Sequence, residues 1–149
     1  MKKILMVCLG NICRSPLAEG IMQSKVNDDK VFVDSAGIAA YHVGELPDKR
    51  SIEVARKYGI DLTNQRARKF TSKDFTEFDS IYAMDKENYH NILSLATDTS
   101  QTEKVKMILN ETNPKQNLSV PDPYYGGDEG FEKVYQMLDE ACEIIAKKL

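Results

Sequence analysis

Short apolar runs alternate with longer amphipathic segments along this chain. The four runs, at residues 3–7, 31–36, 80–84 and 104–108, are rich in aliphatic and aromatic side chains. The first and third are apolar at nearly every position, as in strands buried on both faces of a parallel sheet. The fourth alternates apolar and charged residues, which favours a position at the edge of the sheet.

Helical spacing of apolar residues marks the segments between these strands. The first helix is expected to start with Ser15 as its N-cap and Pro16 at its first position. The second is expected to be capped by Asp48 and stopped by Gly59. Three further helices are predicted, around residues 71–78, from residue 85, and from about residue 129 to the end.

Strands and helices that alternate in this way are typical of an α/β fold. We predict a doubly wound open sheet of four parallel strands in flavodoxin-like order, flanked by helices on both faces, as one domain over residues 1–149. Ligands of such sheets bind at the carboxyl ends of the strands. Cys8 lies at the end of the first strand, so the loop that follows it is the candidate site.

The loop after the first strand, VCLGNICRSP, has the chemistry of an anion site. A helix N-terminus and a neighbouring cation favour the thiolate form of a cysteine, and Cys8 has both nearby in sequence. Arg14 offers a planar pair of donors for two phosphate oxygens. Gly10 permits a positive φ or a close backbone approach, Asn11 is suited to bracing the loop, and Ser15 can donate a hydrogen bond to the thiolate.

Plainer interpretations of these residues have to be weighed as well. A cysteine at a strand end is most often a small buried hydrophobe, and Asp122 before Pro123 is common turn chemistry. A metal site on Cys8 and Cys13 is disfavoured, because the spacing is wrong, no second cysteine pair follows and Arg14 would repel the ion. Glycine-rich nucleotide-binding loops are absent from the sequence.

Composition narrows the partners and the compartment. The net charge of -3 and the lack of a long basic run argue against nucleic acid or an anionic membrane as the main partner. No apolar stretch reaches membrane-spanning length, and no signal-peptide pattern is present. Three cysteines is an odd count that suits a reducing compartment. We therefore expect a cytoplasmic protein whose ligand is small or is a locally presented group.

Three motifs together resemble one family. The stretch CLGNICRSP at 8–16 resembles the C-x-x-x-x-x-R-[ST] signature of the low-molecular-weight protein tyrosine phosphatases, and VDSAG at 33–37 and DPYYG at 122–126 resemble its other recurrent stretches. The resemblance spans essentially the whole chain. It implies a phosphotyrosine protein phosphatase that forms a cysteinyl-phosphate intermediate, uses no metal or cofactor, and releases inorganic phosphate.

The resemblance also implies roles for individual residues. Cys8 would be the nucleophile, Arg14 would bind the phosphate, and Asp122 would act as general acid and then as general base. Ser35 would support the phosphate-binding loop. The other residues of that loop are Leu9, Gly10, Asn11, Ile12, Cys13 and Ser15.

Tyrosines are expected to form the mouth of the site. Tyr41, Tyr124 and Tyr125 would stack on an aromatic substrate, although half-buried packing is the commoner fate of tyrosine. The expected partners are phosphotyrosine-containing proteins. The enzyme itself is expected to be a monomer that can dimerise weakly through Tyr124 and Tyr125.

Residues at a few positions distinguish the predicted phosphotyrosine phosphatase from proteins with related activities. Gln65 stands where the family often has a histidine, so the support of the loop is expected to differ. Ile12 would crowd a phosphoarginine headgroup and favours an aryl ester. Arsenate reductases need two further cysteines near the middle of the chain, and none lies between Cys13 and Cys142. A module that only binds phosphotyrosine would not need Asp122.

Of four other residues, Cys13 and Asp85 each have two interpretations, whereas His42 and His90 have no predicted function. Cys13 either packs in the loop or forms a reversible disulfide with Cys8 that protects the nucleophile from overoxidation. Asp85 either lies close to the site or caps the helix that follows it. His42 and His90 are expected to be ordinary surface or loop histidines.

Overall fold

The structure, a computed structural model, describes the backbone of all 149 residues and every side chain except that of Tyr125. Four parallel strands form one sheet: β1 Lys2–Cys8, β2 Val31–Gly37, β3 Ser80–Ala83 and β4 Val105–Met107. Their order across the sheet is β2-β1-β3-β4. The predicted α/β sheet and the edge position of the fourth strand are therefore confirmed.

Across the described backbone, six α-helices connect and cover the strands. They are α1 Arg14–Lys25, α2 Lys49–Lys57, α3 Asp74–Glu77, α4 Lys86–Leu95, α5 Thr99–Thr102 and α6 Gly127–Lys147. Two short 3-10 helices lie at Ile108–Asn110 and Pro123–Tyr125. None of the helices in the described part of the chain combines the length and apolar character needed to cross a bilayer.

Each face of the sheet has its own apolar core. Side chains alternate along β1, so Ile4 and Met6 belong to one core while Leu5 and Val7 belong to the other. Helices α1, α2 and α6 pack on one another over the first core, and α3 and α4 cover the second. Burying one aliphatic side chain contributes roughly 1.5–3 kcal/mol, so the central strand is held firmly from both sides up to Cys8.

The ends of α2 and α4 follow local sequence signals. Asp48 caps α2 by accepting a hydrogen bond from the Arg50 amide at 2.9 Å. Gly59, with φ of 80°, follows the last residue of α2 and its C-cap Tyr58. Asp85 caps α4 through the Asn88 amide. The predicted start and stop of α2 are confirmed.

The predicted start of α1 is wrong by two residues. The helix begins at Arg14, and Cys13 occupies the N-cap without a capping bond from its side chain. Ser15 does not cap the helix because its hydroxyl lies inside the loop, 3.0 Å from the Cys8 sulfur. Helix α6 begins at Gly127, close to its predicted start at about residue 129. The short helix α5 and the 3-10 helices were not predicted, since segments this short show no periodicity.

Candidate active site

A cavity of about 260 Å³ lies at the carboxyl end of β1. Cys8 and Arg14 line this cavity together with Asp122, which is more than a hundred residues away in sequence. Cys8 and Arg14 are buried in its floor, with 3% and 4% of their surfaces exposed, whereas Asp122 is exposed at its rim. The loop residues Leu9, Gly10, Ile12 and Cys13 line the same cavity.

The loop lies directly against the end of β2, and a glycine makes this possible. A Cβ atom at Gly37 would lie 2.9 Å from the Leu9 carbonyl oxygen, closer than real Cβ contacts allow, and 3.0 Å from the Asn11 nitrogen, which is tighter than most of them. The Ala39 amide also donates to the Leu9 carbonyl at 2.9 Å. Sequence reasoning identified Gly37 only as a strand end, because this approach appears only in three dimensions.

Asn11 braces the loop with both ends of its amide. Its nitrogen donates to the hydroxyls of Ser15 and Ser35 at 2.8 and 2.9 Å, and its oxygen accepts from the Arg68 amide at 3.0 Å. Its backbone is left-handed, with φ of 58°, which a short polar side chain tolerates. The structure thus places Ser15 and Ser35 in one hydrogen-bonded network with the loop.

Gly10 does not provide the left-handed turn, which was the first of the two alternatives predicted for it. The left-handed residue of the loop is Asn11. Gly10 is instead approached by a side chain: a Cβ at this position would lie 3.3 Å from Cδ2 of His42. His42 lines the cavity, and its Nδ1 lies 2.8 Å from a Glu45 carboxylate oxygen. The expectation of an ordinary loop histidine missed this location, because no motif surrounds it.

A buried carboxyl group ends the network on the side away from the cavity. Ser35 donates to Glu19 at 2.6 Å, and Gln23 donates to the other carboxylate oxygen at 3.1 Å. Burial raises the pKa of Glu19 to about 7, and Asp34 adds to the rise while these hydrogen bonds oppose it. Sequence reasoning missed Glu19, since nothing in a helical segment distinguishes a buried glutamate from an exposed one.

Arg14 is anchored by one of its nitrogens. Nη1 donates to Asp85 at 2.6 Å and to the Val120 carbonyl at 3.0 Å. Asp85 also accepts from the Asn88 amide at 2.7 Å, so both interpretations of this residue hold at once. Burial lowers the pKa of Arg14, but the nearby Cys8 and Asp85 outweigh this effect and raise it. The guanidinium therefore stays charged.

Asp122 is held at the start of the 3-10 helix Pro123–Tyr125. Its carboxylate accepts from the Tyr124 amide at 3.0 Å. Tyr41 and Tyr124 line the cavity beside it, with 75% and 46% of their surfaces exposed. The side chain of Tyr125, which was predicted to contact substrate, lies outside the described residues.

Comparison with known proteins places this architecture in a family. The model of the low molecular weight phosphotyrosine protein phosphatases matches residues 3–149. The chain belongs to this family. The phosphatase model begins within β1 and ends at the last residue after α6, so its match includes every cavity residue named above. The resemblance expected from the three motifs is confirmed.

Individual members of the family cover the chain almost completely. A putative low molecular weight protein-tyrosine-phosphatase of Synechocystis is 49% identical over 144 residues, which span 94% of this chain and 91% of that protein. The low molecular weight phosphotyrosine protein phosphatase of Mus musculus is 38% identical over 151 residues, spanning 99% and 95%. A crystal structure of a protein tyrosine phosphatase from Entamoeba histolytica superposes with a TM-score of 0.92 at 38% identity, covering 99% and 96%.

Gln65, at which a different support of the loop is expected, contacts the first turn of α1. Its amide nitrogen donates to the Pro16 carbonyl in α1 at 3.0 Å. Its buried side-chain oxygen has no hydrogen-bond partner among the described residues. The Arg68 amide supports the loop by donating to the Asn11 side chain, and the expected difference from other family members at residue 65 stays a prediction.

The three cysteines of this family member are free thiols. Burial, followed by the nearby Asp48, raises the pKa of Cys13 to about 12, which keeps this thiol protonated. Burial also raises the pKa of Cys142 on α6 to about 12. Among the described side chains, no group of three or more His, Cys, Asp or Glu residues is placed to hold a metal ion.

Proposed function

We propose that this chain hydrolyses phosphotyrosine in proteins through a cysteinyl-phosphate intermediate on Cys8. The proposal is carried by the way Arg14 is held. Nη1 uses its two hydrogens on Asp85 and Val120, and Nε and Nη2 make no hydrogen bond with the described residues. That edge offers the paired donors that match two phosphate oxygens.

The first step transfers the phosphoryl group to the protein. The Cys8 thiolate attacks phosphorus, a P–S bond forms, and the P–O bond to the tyrosine breaks. The phenolate that leaves needs a proton, which Asp122 supplies from the rim of the cavity. The amides at the start of α1 and the guanidinium of Arg14 stabilise the negative charge of the transferring group.

The second step returns the protein to its starting state. A water molecule attacks the phosphocysteine, Asp122 accepts its proton, and the P–S bond breaks. Inorganic phosphate leaves and the Cys8 thiolate is restored. The Ser15 hydroxyl, 3.0 Å from the sulfur, is placed to stabilise that thiolate both before the attack and as it departs.

The walls of the cavity favour an aryl phosphate. Ile12 is half-buried in the wall, and Tyr41 and Tyr124 flank the mouth. The aliphatic Ile12 side chain suits the edge of a phenyl ring better than a charged guanidinium, and the two tyrosine rings are placed to stack on such a phenyl ring. The names of the Mus musculus and Entamoeba histolytica proteins, both tyrosine phosphatases, support the same substrate class.

We further propose a cytoplasmic, single-domain enzyme that acts on phosphotyrosine-containing proteins. Three free thiols, two of them at the cavity, suit a reducing compartment. Weak dimerisation through Tyr124 and Tyr125 stays a prediction, as does a protective Cys8–Cys13 disulfide. Their tests are the sedimentation of the wild-type chain and mass spectrometry of the peroxide-treated chain.

Hydrolysis of a phosphotyrosine peptide in the presence of EDTA tests the function. Cys8→Ser is expected to abolish turnover, while Cys142→Ala, at a buried cysteine far from the cavity, retains it. Asp122→Asn is expected to lower the rate by about a hundredfold to ten-thousandfold. A phosphoarginine peptide is expected to be the poorer substrate for the wild type.

Several outcomes would contradict this function. Turnover that survives Cys8→Ser, or that needs a divalent ion, is incompatible with the mechanism. Tight binding of the peptide by the wild type without any turnover would identify a binding module instead. Because Cys8 must be ionised while Asp122 is protonated, we also expect highest activity at acidic pH. A flat profile from roughly pH 5 to about pH 9 would argue against this pairing of acid and nucleophile.

A further inference from the structure

Arg50, in the first turn of α2, links the two loops of the site. Its Nε and Nη2 donate to the two carboxylate oxygens of Asp48 at 3.2 and 3.3 Å. Its Nη1 donates to the carbonyl oxygen of Tyr124 at 2.9 Å. The guanidinium of Arg50 thus bonds both to the N-cap of α2 and to the 3-10 helix that follows Asp122.

Two aromatic rings hold the same guanidinium. Its central carbon lies 5.1 Å from the centre of the Tyr124 ring and 4.6 Å from the centre of the Phe131 ring. Phe131 is 1% exposed in α6, so it offers a fixed surface on which the cation rests. Arg50 therefore contacts α2, α6 and the loop that carries the acid.

The first turn of α2 also holds the phosphate-binding loop. The Asp48 amide donates to the Ile12 carbonyl at 2.7 Å, and the Ser51 hydroxyl donates to the Cys13 carbonyl at 3.2 Å. On the other side, the Tyr124 amide donates to Asp122 at 3.0 Å. One helix end is thus bonded to the loop of the nucleophile directly and to the loop of Asp122 through Arg50.

We propose that Arg50 is a positioning residue that fixes Asp122 at the height and angle needed to protonate the leaving group. Arg50 touches no reacting atom; it acts through the Tyr124 backbone. Arginine suits this role because one planar group makes two bonds to a carboxylate, one to a carbonyl and two ring contacts, which a lysine cannot match. The inference rests on the proposed function, in which Asp122 is the acid.

The dependence of the rate on the leaving group separates this role from a purely structural one. Phenolate leaves only with a proton, whereas dinitrophenolate leaves without one. We expect Arg50→Ala to lower kcat/KM for phenyl phosphate by about tenfold to a hundredfold, since misplacement of about 1 Å has effects of this size. For dinitrophenyl phosphate we expect a change of less than about twofold, because no proton has to be delivered.

Matched variants complete the experiment. Arg56→Ala removes an exposed arginine of the same helix and is expected to leave both rates unchanged. Arg50→Lys keeps the charge and one donor group, so we expect a smaller loss of kcat/KM for phenyl phosphate than in Arg50→Ala. The lysine variant also replaces the alanine variant in the experiment if the latter does not fold. In an Asp122→Asn background, Arg50→Ala is expected to cause no further loss with phenyl phosphate, since the two residues act on one step.

The results distinguish the inference from the function on which it rests. If Asp122→Asn shows no leaving-group-dependent loss, the assignment of the acid is wrong and the inference falls with it. Suppose that Asp122→Asn shows that loss, but the Arg50 variants slow hydrolysis of both substrates equally or slow neither. The acid assignment then stands and the positioning role is overturned. Additive losses in the double variant would also overturn it.

Discussion

Arg14 Nη1 and Asp85 Oδ2 are 2.6 Å apart, and this ion pair joins the two sides of the sheet. Arg14 begins α1, which packs over one core, whereas Asp85 caps α4, which packs over the other. The pair is mostly shielded from water, with 5% and 22% of the two side chains exposed. The orientation of the phosphate-binding edge of Arg14 therefore depends on a residue of the opposite layer.

Asp85→Asn is expected to weaken phosphate binding while α4 stays capped, because asparagine is an equally good N-cap. Removing the charge leaves Arg14 held only by a carbonyl, and hydrogen bonds between ionised groups are worth roughly twice neutral ones. We expect inhibition by inorganic phosphate to weaken by about tenfold. Asp98→Asn, at the cap of α5 and away from any arginine bond, is the control. Unchanged inhibition in Asp85→Asn would show that Val120 alone orients the guanidinium.

Ser15→Ala is expected to slow catalysis with little change in fold. The Ser15 hydroxyl lies 3.0 Å from the Cys8 sulfur, and a hydrogen bond to a charged group contributes roughly 1.5–3 kcal/mol. A loss of kcat/KM by about tenfold to a hundredfold follows from that energy. Ser24→Ala removes a hydroxyl from the same helix, which among the described residues bonds to the Ile21 carbonyl alone. Equal rates for Ser15→Ala and Ser24→Ala would refute a role for the hydroxyl at the thiolate.

The Glu19 carboxyl is expected to make the stability of the chain depend on pH near neutrality. Burial raises its pKa from 4.5 to about 7, so the folded state binds more protons than the unfolded state between these values. Stability should therefore fall as pH rises through this window, by on the order of 3 kcal/mol. Asp34 strengthens and Arg68 weakens the rise in pKa.

Urea unfolding at pH 5 and pH 8 checks this expectation with Glu19→Gln, which cannot ionise. The variant should match the wild type at the lower pH and exceed it at the higher one. Glu140→Gln, at an exposed position on α6, should follow the wild type at both. A wild-type stability that does not decrease relative to Glu19→Gln across this range would contradict the assignment of a raised pKa.

Gly37→Ala is expected to displace the phosphate-binding loop. The added methyl group would meet backbone atoms of Leu9 and Asn11 at 2.9 and 3.0 Å, and backbone cannot rotate away as a side chain can. We expect kcat/KM to fall by about tenfold to a hundredfold. At Gly130 in α6 the same change meets atoms only at 3.7 Å or more, and alanine there should stabilise the helix by about 0.5–1 kcal/mol. Full activity in Gly37→Ala would mean that the loop tolerates the shift.

Features set by neighbouring residues were predictable from the sequence. The apolar run before Cys8 identified β1, and Asp48 and Gly59 identified the ends of α2, because strands, caps and stops depend on local patterns. The grouping of Cys8, Arg14 and Asp122 at one cavity followed from the resemblance and from the topology of parallel sheets. The structure brings these three side chains together at the carboxyl end of β1.

Features set by contacts between distant segments were not predictable. The close approach of Gly37 to the loop, the position of His42 beside Gly10 and the burial of Glu19 all depend on how β2 and the loop after it pack against α1. Ser15 was misassigned for a related reason: a serine before a helix is a good cap, and only the position of the Cys8 sulfur shows that its hydroxyl is used elsewhere.

The geometry of Asn11 narrows the choice of amino acid at that position to one. Its left-handed backbone excludes β-branched and bulky residues, and its side chain must donate twice and accept once. Glycine fits the backbone but makes none of these bonds, and an ionised aspartate cannot donate. In a library that places all twenty amino acids at residue 11, selection for turnover should therefore return asparagine alone, whereas selection for folding should also return glycine.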